Sequence, residues 1–129
     1  MERKACYGIC PSYSLDITGD GAVSYVGREF VNVRGLKKGT VDPVKVSQLM
    51  DAVDELRLTT LVDTPHCATV DGDQAVVILA VRDRGATTKV THDTGNGCYP
   101  KELTELESMI DEVAKTEQWV RCETGFCMN

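Results

Sequence analysis

From Ser12 to Thr18, apolar side chains fall at every second position (Tyr13, Leu15, Ile17), which is the period of a strand with one buried face. Gly19-Asp20-Gly21 supplies residues that tolerate positive φ, and Val23 and Tyr25 then resume the alternation. The segment therefore predicts a β-hairpin that turns at Asp20 and Gly21. A third short strand is expected at Phe30–Val33, ended by Gly35 and by a basic Lys37-Lys38-Gly39 loop. After it the period changes. Asp42 is a suitable N-cap and Pro43 suits the first helical position, where its missing N–H costs nothing. Val46, Leu49, Met50, Val53 and Leu56 then form one helical stripe, with Asp51, Asp54, Glu55 and Arg57 on the other faces.

Leu61 to Gln74 has no clear period and reads as a long connection. Ala75 to Val81 is a continuous β-prone apolar run of the kind a strand buried on both faces would carry, and Arg82-Asp83-Arg84-Gly85 is a charged turn. Thr87 to His92 pairs back as a second hairpin. Thr94-Gly95-Asn96-Gly97 breaks the chain, and Pro100 opens a last helix with Leu103, Leu106, Ile110 and Val113 along one side. Trp119 is expected to close the core at its end. The order β-β-β-α-β-β-α predicts an α+β fold, an antiparallel sheet of about five strands with two helices packed on one face. Residues 1–129 read as a single domain, with 120–129 as a cysteine-containing C-terminal tail.

Composition narrows the function classes. Hydrophobic residues make up 42% and charged residues 26%, with no long polar tract, so the whole chain should fold. The formal net charge of -6 sets up a field that repels phosphate backbones, so nucleic acid is not an expected partner. The longest apolar run, Ala75 to Val81, falls far short of the roughly 20 residues of a membrane-spanning helix.

Six cysteines change the picture more. An even number in a short chain fits a disulfide framework formed in an oxidising compartment. The disulfide candidates are Cys6, Cys10, Cys67, Cys98, Cys122 and Cys127, and sequence leaves all fifteen pairings open. A bridge from Cys6 or Cys10 to Cys67 or Cys98 would tie distant segments, whereas Cys122 with Cys127 would only pin the tail. Met1-Glu2-Arg3-Lys4-Ala5-Cys6 does not lead into the apolar stretch of a signal peptide. Given the cysteines, we read Met1 as a start from which an export signal has been removed, and expect an extracytoplasmic location.

Other chemistries fit less well. Zinc would need four converging ligands, usually arriving as closer pairs than these, and Cys6, Cys10, His66 and Cys67 form the best available set, with Cys98 or His92 as substitutes. Thiol-redox catalysis expects Cys-x-x-Cys at a helix N-terminus, whereas Pro11 biases Cys10 towards extended backbone. His92, at a strand end, reads as a rim residue, and His66 lies in a loop beside Cys67. Asp71-Gly72-Asp73 lacks the remaining ligands of a calcium loop and reads as a turn. Glu102, Glu105, Glu107, Asp111 and Glu112 read as a solvated helix face. No serine lies in a nucleophile-elbow setting, and no phosphate-binding glycine loop is present.

The segment Cys6-Tyr7-Gly8-Ile9-Cys10-Pro11-Ser12-Tyr13-Ser14-Leu15, followed by Asp20-Gly21 and Tyr25-x-Gly27, resembles an uncharacterised bacterial family of exported proteins and lipoproteins, domain of unknown function sixty-four thirty-eight. Cys67, Asp71, the run Ala75 to Val81, Pro100, Leu103, Leu106, Glu107, Ile110, Asp111 and Trp119 are similar to its later landmarks. Within the Cys-x-Gly-x-Cys-Pro-x-Tyr signature and the turn after it, Gly8, Pro11, Tyr13, Asp20 and Gly21 stand out as structural motif residues. Cys122 and Cys127 lie outside the pattern. The resemblance implies export and one compact domain, and carries no activity, cofactor or catalytic residue with it. The expectation is a non-enzymatic binding or interaction module of the bacterial cell envelope, for a protein or small-molecule ligand. A metal-binding or thiol-redox protein using Cys6 and Cys10 with His66, Cys67 or Cys98 is the alternative.

Overall fold

A computed structural model describes residues 1–67, 75–125, 127 and 128. Six strands form one antiparallel sheet: β1 (Glu2–Arg3), β2 (Ser12–Ile17), β3 (Ala22–Glu29), β4 (Gly35–Thr40), β5 (Val76–Asp83) and β6 (Ala86–Asp93), in the spatial order β4-β3-β2-β1-β5-β6. Helices α1 (Pro43–Leu56) and α2 (Lys101–Ala114) pack side by side, and the short α3 (Glu117–Val120) follows α2. The α+β reading holds, with one more strand than expected. That strand is β1, in a segment without periodic signal. It pairs with Tyr13 and Ser14 on one side and with Val77 and Ile78 on the other, joining the two hairpins into one sheet.

The first hairpin forms as its alternation predicts, with Leu15 opposite Tyr25 and Ile17 opposite Val23. Gly21 is required at its turn because it has φ +93° and a Cβ there would lie 2.1 Å from the Val41 carbonyl oxygen. The third strand is displaced from its expected place. Phe30 adopts a left-handed φ of 55° and Phe30–Val33 turns, so the chain returns as β4 through Gly35–Thr40, where a basic loop was expected. Alternation could not reveal β4, because its residues are almost all solvent-exposed on both faces.

Helix α1 begins where its cap signals place it: Asp42 accepts a hydrogen bond from the Val44 amide at 2.9 Å, and Val46, Leu49 and Val53 are buried. In β5 only Val77 and Leu79 are fully buried and Ala80 is exposed, so this run is covered on one face rather than two. Apolar residues on the open side, Val76 and Ile78, made it look doubly buried. The β5–β6 hairpin turns at Arg84 and Gly85, both at positive φ, as a two-residue turn requires. After α1, a short 3-10 turn covers Leu58–Leu61, and the Asp71-Gly72-Asp73 segment lies outside the described residues.

The core lies between sheet and helices. Tyr13, Leu15, Val23, Tyr25, Leu79 and Val90 from the strands meet Leu49, Val53, Leu103, Leu106 and Ile110 from the helices. Trp119 closes this core as expected, its ring 5.0 Å from that of Tyr25, which in turn lies 5.6 Å from Tyr13.

Candidate functional site

The signature segment leads directly to a groove beside the end of α2. Cys6 and Cys10 are disulfide-bonded, with Cα atoms 5.7 Å apart, and the loop between them holds Tyr7 out at 89% exposure. After Pro11 the backbone becomes β2. Ser12 Oγ accepts from the Glu29 amide at a bulge, and Tyr13 turns inward towards α2.

There Asp111 gathers donors from three places. Tyr13 OH donates to Oδ1 at 2.7 Å, Thr116 Oγ1 donates to the same oxygen at 2.9 Å, and Arg3 donates to Oδ2 from Nε at 3.0 Å and Nη2 at 2.7 Å. Arg3 Nε also reaches Tyr13 OH at 3.1 Å. The carboxylate is thus fixed by groups from β1, β2 and the turn between α2 and α3. Burial, and then the adjacent Asp111 charge, push the Tyr13 phenol well above its ordinary pKa, so the donor stays protonated. Burial pulls the Arg3 guanidinium down, but Asp111 and Tyr13 outweigh it and leave Arg3 above its usual value.

Helix α2 stops beside this cluster. Lys115 takes a left-handed φ of 58° and its amide bonds back to the Asp111 and Glu112 carbonyls, which redirects the chain into α3. The break opens a groove of about 1060 Å³, with Tyr13, Asp111 and Thr116 along it and Glu112, Lys115 and Gln118 among its other lining residues. It runs on to Cys122, which is bonded to Cys127. This tail is docked on the turn after β3: the Val33 amide donates to the Trp119 carbonyl at 2.8 Å, and Asn32 to Val120 at 3.2 Å.

One helical turn before Asp111, Glu107 faces the other hairpin. Its Oε2 lies 2.7 Å from His92 Nδ1, and the two side chains are 1% and 3% exposed. The His92 ring also meets Tyr99 edge-on at 4.8 Å. His92 is therefore an interior residue and not a rim residue, and Glu107 and Asp111 are not part of a solvated face. Their spacing of four places both on the sheet-facing side of α2, where a carboxylate persists only with a polar partner.

The third disulfide, Cys67–Cys98, spans 31 positions. Asn96 positions it: Oδ1 accepts from the amides of Cys67 and Cys98, both at 3.0 Å, and Nδ2 donates to the Pro65 carbonyl at 3.0 Å. Sequence reasoning took Asn96 only as a chain-breaking residue. Its place two residues before a cysteine, in a glycine-flanked turn, was the available signal.

The expected cysteines all pair, but no bridge ties Cys6 or Cys10 to the distant cysteines; each pairs with the other. That arrangement also dissolves the candidate metal set of Cys6, Cys10, His66 and Cys67, since the cysteines are bonded and His66 is an exposed loop residue. Among the described residues, no group of three or more His, Cys, Asp or Glu side chains is placed to hold a metal ion. Gly8 lies in the small disulfide loop, its amide 3.3 Å from Cys6 Sγ. Asp20 braces the first hairpin turn, bonded to Thr18 Oγ1 and the Ala22 amide, and these bonds hold its carboxyl below the usual range. Three disulfides fit an oxidising, extracytoplasmic setting. No helix among the described residues is long and apolar enough to cross a membrane.

No curated protein and no solved structure matches the chain. A family model does: the one described as Domain of unknown function (DUF6438) matches residues 1–114, from β1 to the end of α2, and the chain belongs to that family.

Proposed function

We propose that this chain is a non-enzymatic binding module of the bacterial cell envelope, stapled by its disulfides, that receives a ligand in the groove where α2 ends. The observation that carries the reading is the commitment of the groove's polar floor. Asp111 accepts from Tyr13, Thr116 and Arg3, and the Tyr13 phenol is held neutral. Groups so engaged make a rigid, pre-organised recognition surface, whereas an acid, base or nucleophile needs a proton or lone pair free to react. Tyr13 and Asp111 lie within the family match, while Lys115 to Glu123 lie beyond it. Tyr13 and Asp111 of the floor therefore lie in the part the family model covers, while Thr116 and the outer wall come from the C-terminal segment beyond it, an arrangement suited to different ligands on one frame.

Two measurements test this. Alkylating the native protein without reductant should add no mass, and a full set of reactive thiols would remove the basis for an oxidising location. Screening a small-fragment library by ¹⁵N chemical-shift mapping should give hits clustered at Tyr13, Asp111, Thr116 and Gln118. Hits scattered over the surface, or none, would end the assignment of this groove.

A further inference from the structure

The two edges of the sheet are finished differently. Thr94 N–H donates to the Ala75 carbonyl, which makes Ala75 and Thr94 a hydrogen-bonded pair. By the antiparallel alternation, Val77–His92 and Leu79–Val90 are hydrogen-bonded too, so Thr87, Lys89 and Thr91 of β6 turn their backbone groups outward. That edge is partly closed: the Thr91 carbonyl accepts from Tyr99 OH at 3.0 Å, and the 3-10 turn Leu58–Leu61 packs against β6.

The opposite edge, β4, is open among the described residues. The Val41 amide donates to the Gly21 carbonyl, and the Thr18 amide to the Ala22 carbonyl. Odd-numbered residues of β3 therefore bond to β4 and even-numbered ones to β2. It follows that Gly35, Lys37 and Gly39 bond inward to β3, while Leu36, Lys38 and Thr40 direct their N–H and C=O groups away from the sheet. No strand lies beyond them among the described residues. Leu36 is 59% exposed, and with Val26 opposite it forms an apolar step on the sheet face that carries no helix.

The charges at this edge select among occupants. The stretch from Phe30 to Val41 contains no acidic residue, in a chain whose net charge is -6. Lys38 projects from the open face and Lys37 from the helix-covered side. The ion pairs among the described residues use Arg3, Arg28, His92 and Arg121, and neither of these lysines. A second copy of β4 laid antiparallel would set these lysines against their own counterparts, where like charges repel. An extended segment bearing carboxylates meets the reverse situation. We infer that the free edge of β4 takes up an extended acidic segment of a partner protein by strand addition, with Leu36, Lys38 and Thr40 supplying the backbone bonds.

A labelled peptide of alternating Glu and Val tests this against its Lys-Val counterpart. The acidic peptide should bind, more weakly as salt is raised, and the basic one should not. The amides of Leu36, Lys38 and Thr40, fast-exchanging in the free protein, should become protected. Lys38→Pro removes one outward N–H without touching the ladder to β3 and should weaken binding at least about tenfold, as should Lys38→Glu. Trp119 fluorescence verifies folding, and Lys38→Glu with amide exchange decides if the proline variant does not fold. Binding that survives Lys38→Pro, or protection appearing at the α2 groove instead, overturns strand addition. A dimer in ultracentrifugation that Lys38→Pro dissolves would make a second copy the occupant and overturn the acidic partner. Failure of the groove screen would leave this result untouched, because the two sites share no residue.

Discussion

The two hairpins flanking β1 are held to the helices by different means. On the β2–β3–β4 side the contact is made by large rings, Tyr13, Tyr25 and Trp119 in sequence, with a partly exposed charge cluster at their edge. On the β5–β6 side the strands offer Val77, Leu79 and Val90, and the remaining ties are polar or covalent: His92 with Glu107, Asn96, and the Cys67–Cys98 bridge. Helix α2 shows the contrast within one turn. Glu107 is sealed against a single partner, while Asp111, 21% exposed, shares three at a solvent-open groove. Aromatic burial contributes apolar area and needs few polar ties. The leaner half relies on a cross-link and a satisfied polar pair.

If that contrast is right, removing the Cys67–Cys98 bridge by Cys67→Ser with Cys98→Ser should give the largest loss, about 3–4 kcal/mol on the loop-entropy model. Removing Cys122–Cys127 should cost about 2 kcal/mol, because its loop is short. Denaturant unfolding of both variants checks this, and equal losses would erase the distinction between a core staple and a tail clip. Between those two, Glu107→Ala should destabilise by about 2–3 kcal/mol, as it strands a buried imidazole and leaves a void. Asp111→Ala should cost about 1–2 kcal/mol, since water can reach the groups it abandons. A reversed order would mean that the exposed cluster, and not the sealed pair, anchors α2.

The smallest effect separates the halves by pH. Burial raises the Tyr25 pKa to about 12 and, with Asp111, raises that of Tyr13 further. A folded-state pKa above the unfolded value near 10 means that stabilisation is fully present below about pH 10 and is lost as pH rises towards 12. Amide exchange over that window should show the β2–β3 strands loosening before β5–β6, which has no inward tyrosine. Simultaneous loosening would show that β1 couples the halves into one cooperative unit.

Both hairpins and both long helices are legible because their signals are local. Alternation at Tyr13, Leu15 and Ile17, the Asp42-Pro43 cap and the Leu103, Leu106, Ile110 stripe each report a buried face within one element. The candidate groove was legible only in fragments. Tyr13 and Asp111 each stood out among the family landmarks, yet they are 98 positions apart and meet at 2.7 Å. Strand β4 is hidden because an exposed edge strand has no apolar alternation to show, and Phe30–Val33 resembles a strand because Val31 is buried, with Phe30 and Val33 partly so, by a turn rather than a ladder.

The sequence by itself determined the class of the fold, the number of cysteines available for cross-linking, and most element positions, since these follow from periodicity and backbone preference over a few residues. Tertiary structure alone decided which sulfurs pair, that two residues at the N-terminus close the middle of the sheet, and that two glutamate-helix carboxylates point inward. Those outcomes depend on which partner stands opposite: Glu107 and Asp111 have the same helical spacing whether they face water or the sheet, and only His92, Tyr13 and Arg3 arriving from distant strands made burial the stable choice.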